Sequence, residues 1–284
     1  MQRKIRNALW GALRAATGRT IYEKLRAYHN LKYWLELDNP STYCEKIVRM
    51  KLNDDPRFCR LSDKIEVRDY VAEKVGETYL TKLYATTHDP NAVDWASLPP
   101  SFVVKASHSG GSQGVMIVHD KTTEDVELLV KSCKSALAEK FGYWTNESWY
   151  RRIKPRLLIE ELLNCGNGEI PLDFKFHCFN GKCNFIQVDV GRFTRHTRAF
   201  YSPDWEIQDF TFNYPQATPT PAPHNLTEMI EIAEKLADGF GFVRVDLYSL
   251  PTRVVFGEMT FAPESGWCKF QPKEWDKKLG RLLV

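Results

Sequence analysis

Long apolar runs and a cysteine framework are both missing from this sequence of 284 residues. No stretch of about 18 consecutive apolar residues occurs, so no membrane-spanning helix is predicted. The N-terminus also lacks the uninterrupted apolar core of a signal peptide. The seven cysteines are an odd number without a repeated spacing, which is typical of a reducing compartment. We therefore expect a cytoplasmic protein.

Repeats and low-complexity segments are absent as well, and 43% hydrophobic with 26% charged residues are typical of a globular protein. The net charge of +3 is uneven, because residues 1–32 hold eight Lys or Arg and one acid, giving +7 there and −4 elsewhere. Four apolar residues recur in this segment at helical spacing: Ile5, Leu9, Trp10 and Leu13. Such a helix can contact an anionic membrane surface through residues 1–20, or pack on the protein. Nucleic-acid binding is not expected, because the basic excess is confined to this end and lacks interleaved aromatic strands.

Two acidic residues near the C-terminus, Asp246 and Glu258, are predicted to face each other across a hairpin whose turn is residues 251–253. The predicted pairs are Leu250 with Val254, Tyr248 with Phe256, and Asp246 with Glu258. Like charges that face each other destabilise a sheet unless a cation lies between them. Mg²⁺ fits this need, because it takes one or two carboxylates and completes its shell with waters and phosphate oxygens. An ion pair between Glu258 and Arg244 is the alternative.

A lysine and a glycine-rich turn follow each other in the middle of the chain. Residues 102–105 form a short apolar strand ending in Lys105, and residues 107–114 turn into a second apolar strand at 115–118. A Gly- and Ser-rich turn can lay its backbone N–H groups over phosphates while the lysine supplies a point charge. The same pattern also occurs in many ordinary hairpins.

Two further charged positions are notable. Asp63, followed three residues later by Glu66, resembles a capping box that opens a helix, with Lys64 at its start where the macrodipole disfavours a cation. In residues 173–179 the alternation of a strand sets Asp173 and Lys175 on one face. That face is either a cleft with an acid and a base or a solvated face with an ordinary ion pair.

Taken in order, these motifs resemble the ATP-grasp superfamily and, more narrowly, its TupA-like branch, named for teichuronopeptide synthesis. Four phrases carry the resemblance over roughly residues 40–284: LSDKIEVRDYV, FVVKASHSGGSQG, LDFKFHCFNGK and RVDLYSLPTRVVFGEMTFAPESG. The resemblance implies an α+β fold in which two α+β subdomains clamp ATP. The expected parts are a helical N-terminal extension at 1–55, a part with the small subdomain and glycine flap at 56–160, and a large subdomain with the metal site at 161–284.

The resemblance also implies a role for each matched position. Two lysines approach the nucleotide phosphates: Lys64 and Lys105. Five residues form the flap above them: Ser109, Gly110, Gly111, Ser112 and Gln113. Three form the hinge that meets adenine: Glu160, Glu161 and Leu162. Asp173 lies near the ribose or the substrate. Two basic residues face the transferred phosphoryl group as catalytic residues: Lys175 and Arg192. Three positions bind magnesium: Asp246, Glu258 and Thr260, the last in place of an asparagine common among ATP-grasp ligases.

The activity implied is that of an ATP- and Mg²⁺-dependent ligase that joins a carboxylate to an amine through an acyl phosphate. Its partners would be a carboxylate-bearing glycan or sugar and an amino acid or other amine, in surface-polysaccharide or glycopeptide synthesis. Two alternatives stay open. A metal-dependent glycosyltransferase also uses paired carboxylates, although it has no need of the unit formed by Lys105 and the glycine flap. A nucleotide-binding protein without turnover is compatible with Thr260 at the third metal position.

Overall fold

The computed structural model describes residues 2–111, 114–164, 171–191 and 195–283, with side chains from residue 10 onward. The described helices are α1 (Gln2–Leu31), α2 (Tyr43–Asn53), α3 (Arg57–Ser62), α4 (Val67–Lys74), α5 (Val126–Leu137), α6 (Leu226–Ala237) and α7 (Glu274–Gly280). The described strands are β1 (Leu83–Thr87), β2 (Phe102–Ala106), β3 (Val115–Val118), β4 (Leu157–Glu160), β5 (Asp173–Phe179), β6 (Lys182–Val190), β7 (Thr197–Tyr201), β8 (Thr211–Phe212), β9 (Phe242–Ser249), β10 (Val254–Thr260) and β11 (Phe270–Gln271). None of the described helices is long and apolar enough to cross a membrane.

Two antiparallel sheets carry the fold, and the predicted α+β class is confirmed. The first sheet has the strand order β1-β4-β2-β3, and the second has the order β10-β9-β5-β6-β7. Helix α5 packs Leu129 and Cys133 on the first sheet, where they join a core with Val104 and Ile159. Helix α6 packs on β5, β6 and β9 of the second sheet. Each sheet thus has its own helix on one face, which leaves edges and the remaining face for a cleft.

Strand β5 lies between β9 and β6 and is buried along its whole length. Its alternate residues Phe174 and Phe176 join the large apolar core. The residues between them, Asp173 and Lys175, point to the opposite side, as the strand period requires. Only 4% of the Lys175 surface is exposed, so the alternative of a solvated face is wrong.

Helix α1 is bent at Gly18, whose φ of +72° is a conformation that glycine adopts without strain. The bend lets Trp10 turn back onto the second half of the helix, with ring centroids 6.0 Å from Tyr22 and 5.7 Å from His29. Arg26 covers the other side of this indole at 4.6 Å. The Trp10 ring is therefore packed on the protein, which is the second of the two arrangements that the sequence allows.

The predicted helix start at Asp63 is wrong by one turn, because α4 begins at Val67. The Asp63 carboxylate accepts the N–H of Ile65 at 2.8 Å, which closes a turn ahead of the helix. Glu66 does not reach back to cap the chain, because Arg156 donates to Glu66 at 2.5 Å and to Asp63 at 3.1 Å. Lys64 consequently lies in the turn between α3 and α4.

A fully buried ion pair joins the N-terminal helices. Lys51 Nζ lies 2.9 Å from the Glu23 carboxylate, and neither side chain has any exposed surface. The same nitrogen donates to the carbonyl oxygens of Thr145, at 3.0 Å, and Ser265, at 2.7 Å. These three acceptors use all three protons of the ammonium group. Lys51 thus ties α1 and α2 to two distant turns.

We expect Lys51→Met to lower the free energy of unfolding by about 3–5 kcal/mol, because it leaves the Glu23 carboxylate buried without a cation. The double variant Glu23→Leu with Lys51→Met should recover at least half of the loss, since no charge then remains. Urea denaturation measures both, with Lys131→Met on an exposed face of α5 as the control. A single variant as stable as this control would contradict a stabilising role for the pair.

Candidate functional site

A cavity of about 350 Å³ lies against the polar side of the second sheet. The glycine turn contributes Gly110 and Gly111 to one wall. Polar and charged residues from four neighbouring strands of the sheet also line it: Asp173 and Lys175 of β5, Gln187 and Asp189 of β6, Arg244 and Asp246 of β9, and Glu258 and Thr260 of β10. The backbone N–H groups of a glycine turn can bind an anionic ligand, and the residues around it include both acids and cations.

Lys175 lies at the centre of this floor. Its Nζ donates to Asp173 and, at 2.9 Å, to Asp246 on the neighbouring strand. Burial opposes a charged ammonium group, but the negative charges of Asp246 and Asp173 outweigh it and raise the pKa of Lys175. The lysine is therefore a fixed positive charge rather than a base.

The hairpin of β9 and β10 turns at residues 250–253, closed by a 2.9 Å hydrogen bond between its first and last residues. Ser249 consequently pairs with Val254. The predicted pairings of Leu250 with Val254 and of Tyr248 with Phe256 are both wrong by one position. The turn has two residues and not the three that the sequence predicts.

Asp246 nevertheless lies opposite Glu258, and this part of the prediction is confirmed. A β-bulge at Gly257 adds one residue to β10 and so cancels the shift introduced by the turn. A Cβ atom at Gly257 would lie 3.0 Å from the Asp246 carbonyl oxygen and 3.1 Å from the Tyr248 ring. The close approach of the two backbones explains why glycine occupies the bulge.

The cation between the two carboxylates is the Arg244 guanidinium. Its Nε donates to Asp246 at 2.7 Å, and one terminal nitrogen bridges Asp246, at 2.8 Å, and Glu258, at 3.0 Å. Burial opposes this charge, yet the two acids raise the pKa of Arg244 above its ordinary value. The ion pair that the sequence offered as the alternative to a metal is therefore present.

These acids also fit a magnesium ion, within limits set by their hydrogen bonds. Both oxygens of Asp246 accept from Arg244 or Lys175, whereas Glu258 accepts from Arg244 and Thr260 through one oxygen, Oε1. The second oxygen of Glu258 lies 4.0 Å from Lys64 Nζ. Within the described ranges, no three His, Cys, Asp or Glu residues converge on a metal position. Two carboxylates are enough for Mg²⁺ when waters and phosphate oxygens complete its shell.

Lys64 connects the glycine turn with the second sheet. Its Nζ donates to the Ser109 carbonyl oxygen and lies 4.0 Å from Glu258. Burial, together with the nearby charge of Lys105, lowers the pKa of Lys64, while Glu258 opposes this shift. Lys64 therefore lies between charged groups of both sheets, where a phosphate would meet it together with the flap.

Lys105 and the predicted hinge lie on the first sheet. Lys105 pairs with the Glu160 side chain, which also accepts from Thr81 at 2.5 Å. Burial favours the neutral acid, but Lys105 and Thr81 overcome it and lower the pKa of Glu160. The Glu161 N–H donates to the Lys82 carbonyl oxygen at 3.0 Å, so this N–H already has a hydrogen-bond partner in the protein. The adenine contact expected at the hinge stays a prediction.

Three of the predicted site residues lie outside the described residues: Ser112, Gln113 and Arg192. The sequence analysis predicts no site role for a further group of charged residues that lines the cavity. Arg198 donates to Asp189 at 2.6 Å and to Glu264 at 3.1 Å, and it lines the cavity with both acids. The alternation within β7 would place Arg198 on the cavity side, but only the register of β6 with β7 pairs it with Asp189.

Comparison with known proteins gives a family and a set of similar structures. Residues 45–284 match the family model described as TupA-like ATPgrasp, whereas no curated protein sequence matches the chain. The D-alanine–D-alanine ligase of Bacillus anthracis is 15% identical over 78% of this chain and 66% of its own, with a TM-score of 0.45. The ligase of the same name from Helicobacter pylori is 19% identical over 78% and 60%, with a TM-score of 0.43. The ATP-grasp ligase PsnB, solved with a precursor variant, Mg and ADP, is 13% identical over 84% and 65%, with a TM-score of 0.44. The chain thus spans less than two thirds of the length of these ligases.

Arg244→Gln should lower the melting temperature by about 5 °C, because Asp246 and Glu258 then face each other with less positive charge nearby. Added Mg²⁺ should restore part of this loss and stabilise the variant more than it stabilises the original protein, since the ion can then replace the guanidinium. Thermal unfolding with and without Mg²⁺ tests this.

Arg57→Gln is the matched control, because Arg57 pairs with Asp55 at the surface. It should change the melting temperature by less than about 2 °C and give no additional response to Mg²⁺. An Arg244 variant that responds to Mg²⁺ no more than the original protein would count against a metal site between the two carboxylates.

Proposed function

The chain belongs to the TupA-like ATP-grasp family, and on this basis we propose that it is an ATP- and Mg²⁺-dependent ligase that joins a carboxylate to an amine. The buried cluster of Lys175, Arg244, Asp246 and Glu258 carries this proposal. Two cations and two metal-ligating acids converge on one cavity below a glycine turn. Phosphoryl transfer needs this kind of fixed charge more than it needs a covalent nucleophile.

In the first step, an oxygen of the substrate carboxylate attacks the γ-phosphorus of ATP. The bond from that phosphorus to the bridging oxygen breaks, and ADP leaves with the electron pair. In this proposal Lys175 and Arg244 stabilise the negative charge that builds up, and Lys64 and Lys105 bind the remaining phosphates. Arg192 is the further basic residue that we assign to the transferred group. A bound magnesium ion would be held by Glu258 and Asp246, with Thr260 beside them, and would neutralise phosphate charge.

In the second step, the amine nitrogen attacks the carbonyl carbon of the acyl phosphate. The carbon–oxygen bond to phosphate breaks, inorganic phosphate leaves, and the nitrogen loses a proton to give the amide. Arg244 can stabilise the oxyanion that forms on the way, because its guanidinium is held rigidly by two carboxylates. Asp173 is assigned to the ribose or to the carboxylate substrate, next to Lys175.

The carboxylate substrate that we propose is a uronic acid or another acidic sugar of a surface glycan. The cavity is suited to a polar, hydroxyl-rich acceptor, because several polar residues line it in addition to Lys175 and Arg244. They are Gln187, Asp189, His196, Arg198 and Tyr214. The amine would be an amino acid or a related compound. Glycosyl transfer is the competing function, and the products distinguish the two.

We expect the protein to release ADP and phosphate when it is given ATP, Mg²⁺, a uronic-acid acceptor and a mixture of amino acids. Glu258→Gln and Asp246→Asn should each reduce this turnover about a hundredfold or more, because each removes charge from the phosphate and metal site. Chromatography of the nucleotides measures the products. The control is Glu234→Gln, a carboxylate that pairs with Lys182 on the surface of α6.

Release of AMP and pyrophosphate would contradict transfer of the γ-phosphoryl group. Sugar transfer from a UDP-sugar without ATP would replace the ligase assignment with a glycosyltransferase. Full activity in either acid variant would refute the role of the hairpin.

Lys105→Met should weaken ATP binding about tenfold or more while leaving adenosine binding nearly unchanged, because only the phosphates experience the lysine charge. The fold should survive the change, since Glu160 keeps a cation, Arg68 at 3.9 Å, and its hydrogen bond from Thr81. Calorimetric titration with both ligands gives the two affinities. Equal losses for ATP and adenosine would mean that Lys105 supports the structure of the cleft instead.

A further inference from the structure

A second acidic region lines the same cavity as Lys175 and Arg244. Two turns form it: Thr145 and Glu147 precede the 3₁₀-helix Ser148–Arg152, and Glu264 with Ser265 belong to the 3₁₀-turn Pro263–Gly266. The two turns are linked by a hydrogen bond of 2.8 Å from Ser265 Oγ to Glu147 Oε1. Glu147 is 6% exposed, and that surface opens into the cavity.

Glu147 differs from three other acids of the cavity because no cation forms an ion pair with it. Within the described part of the chain, no Lys, Arg or His nitrogen lies within salt-bridge distance of its carboxylate, whereas Asp246, Asp189 and Glu258 each have one. Lys51 acts on Glu147 only through its charge, because all three of its protons are donated to Glu23, Thr145 and Ser265. Burial raises the pKa of Glu147, and the charge of Lys51 opposes this shift.

Both turns contain residues in a strained backbone conformation. Asn146 has a φ of +59°, and Glu264 and Ser265 have φ values of +50° and +59°. Such conformations are uncommon outside glycine and persist where the surrounding structure fixes them. Lys51 fixes the second turn through the Ser265 carbonyl oxygen, and the Glu147 N–H fixes the first through Gly142 at 3.0 Å.

A buried carboxylate without an ion-pair partner is unfavourable in its charged form, and a cationic ligand can stabilise that form. The substrates of the proposed reaction include one cation, the amine in its protonated form. We propose that Glu147, oriented by Ser265, binds the ammonium group of the amine substrate. This inference rests on the proposed ligase function only for the identity of the cation. The amine would thus bind where these two turns line the cavity.

The test is a binding measurement on the full-length protein saturated with ADP and Mg²⁺. The probes are the amides of the twenty common amino acids, which keep the α-ammonium group and have no α-carboxylate. Titration calorimetry should detect binding of at least one amide, and Glu147→Gln should weaken it about tenfold or more. The glutamine can still accept from Ser265, so the melting temperature of the variant should be unchanged or higher. Glu139→Gln, on an exposed residue outside the cavity, is the matched control.

Equal binding to the original protein and to Glu147→Gln, or no binding of any amide to the original protein, would overturn the proposal. Mg²⁺ binding that disappears with Glu147 would assign the residue to a metal instead. Hydroxylamine separates this result from the ligase function, because it is largely uncharged at neutral pH and traps acyl phosphates as hydroxamates. Glu147→Gln should keep hydroxamate formation from ATP and a uronic acid. If amide binding depends on Glu147 while the original protein forms no hydroxamate, the ligase function fails and the cation site stands.

Discussion

Like charges can be buried side by side in this protein only because cations lie between them. Asp173, Asp246 and Glu258 occupy adjacent strands of one sheet, and Lys175 and Arg244 separate them at hydrogen-bonding distance. Removing either cation would leave acids facing each other in a poorly solvated environment. The position of each strand relative to its neighbours is therefore constrained by charge as well as by the apolar core.

This constraint also prepares the cavity for chemistry. Lys175 and Arg244 are already oriented before any ligand enters, so a transferred phosphoryl group would meet positive charges that need little rearrangement. The same hydrogen bonds occupy both oxygens of Asp246, whereas Glu258 keeps one oxygen that none of the described hydrogen bonds uses. A magnesium ion would therefore compete with Arg244 for Asp246 more than for Glu258. Lys64 adds a connection between the glycine turn and Glu258.

Features set by local chain geometry could be predicted from the sequence, and features set by distant residues could not. The side chains of β5 alternate as expected because a strand has a period of two. The predicted turn length gives the wrong pairs near the turn of the hairpin. Asp246 and Glu258 face each other only because the bulge at Gly257, where β10 lies close to Asp246 and Tyr248 of β9, offsets that error. The predicted start of α4 is wrong because Glu66, which would cap the helix, accepts a hydrogen bond from Arg156, 90 residues further along the chain.

The acidic region at Glu147 depends most strongly on residues that are far apart in the sequence. Glu147 and Ser265 are 118 residues apart, and neither belongs to a periodic segment. What brings them together is Lys51, which lies on α2 and binds the backbone of both turns while its charge is balanced by Glu23 on α1. The N-terminal helices thus do more than cover the core, because they hold two strained turns against each other. Without that support the turns would be free to relax to ordinary backbone conformations. The Glu147 carboxylate could then be hydrated instead of buried. The shape of the cavity around Glu147 is therefore determined by the buried ion pair of the helical extension rather than by the sheet that carries Lys175 and Arg244.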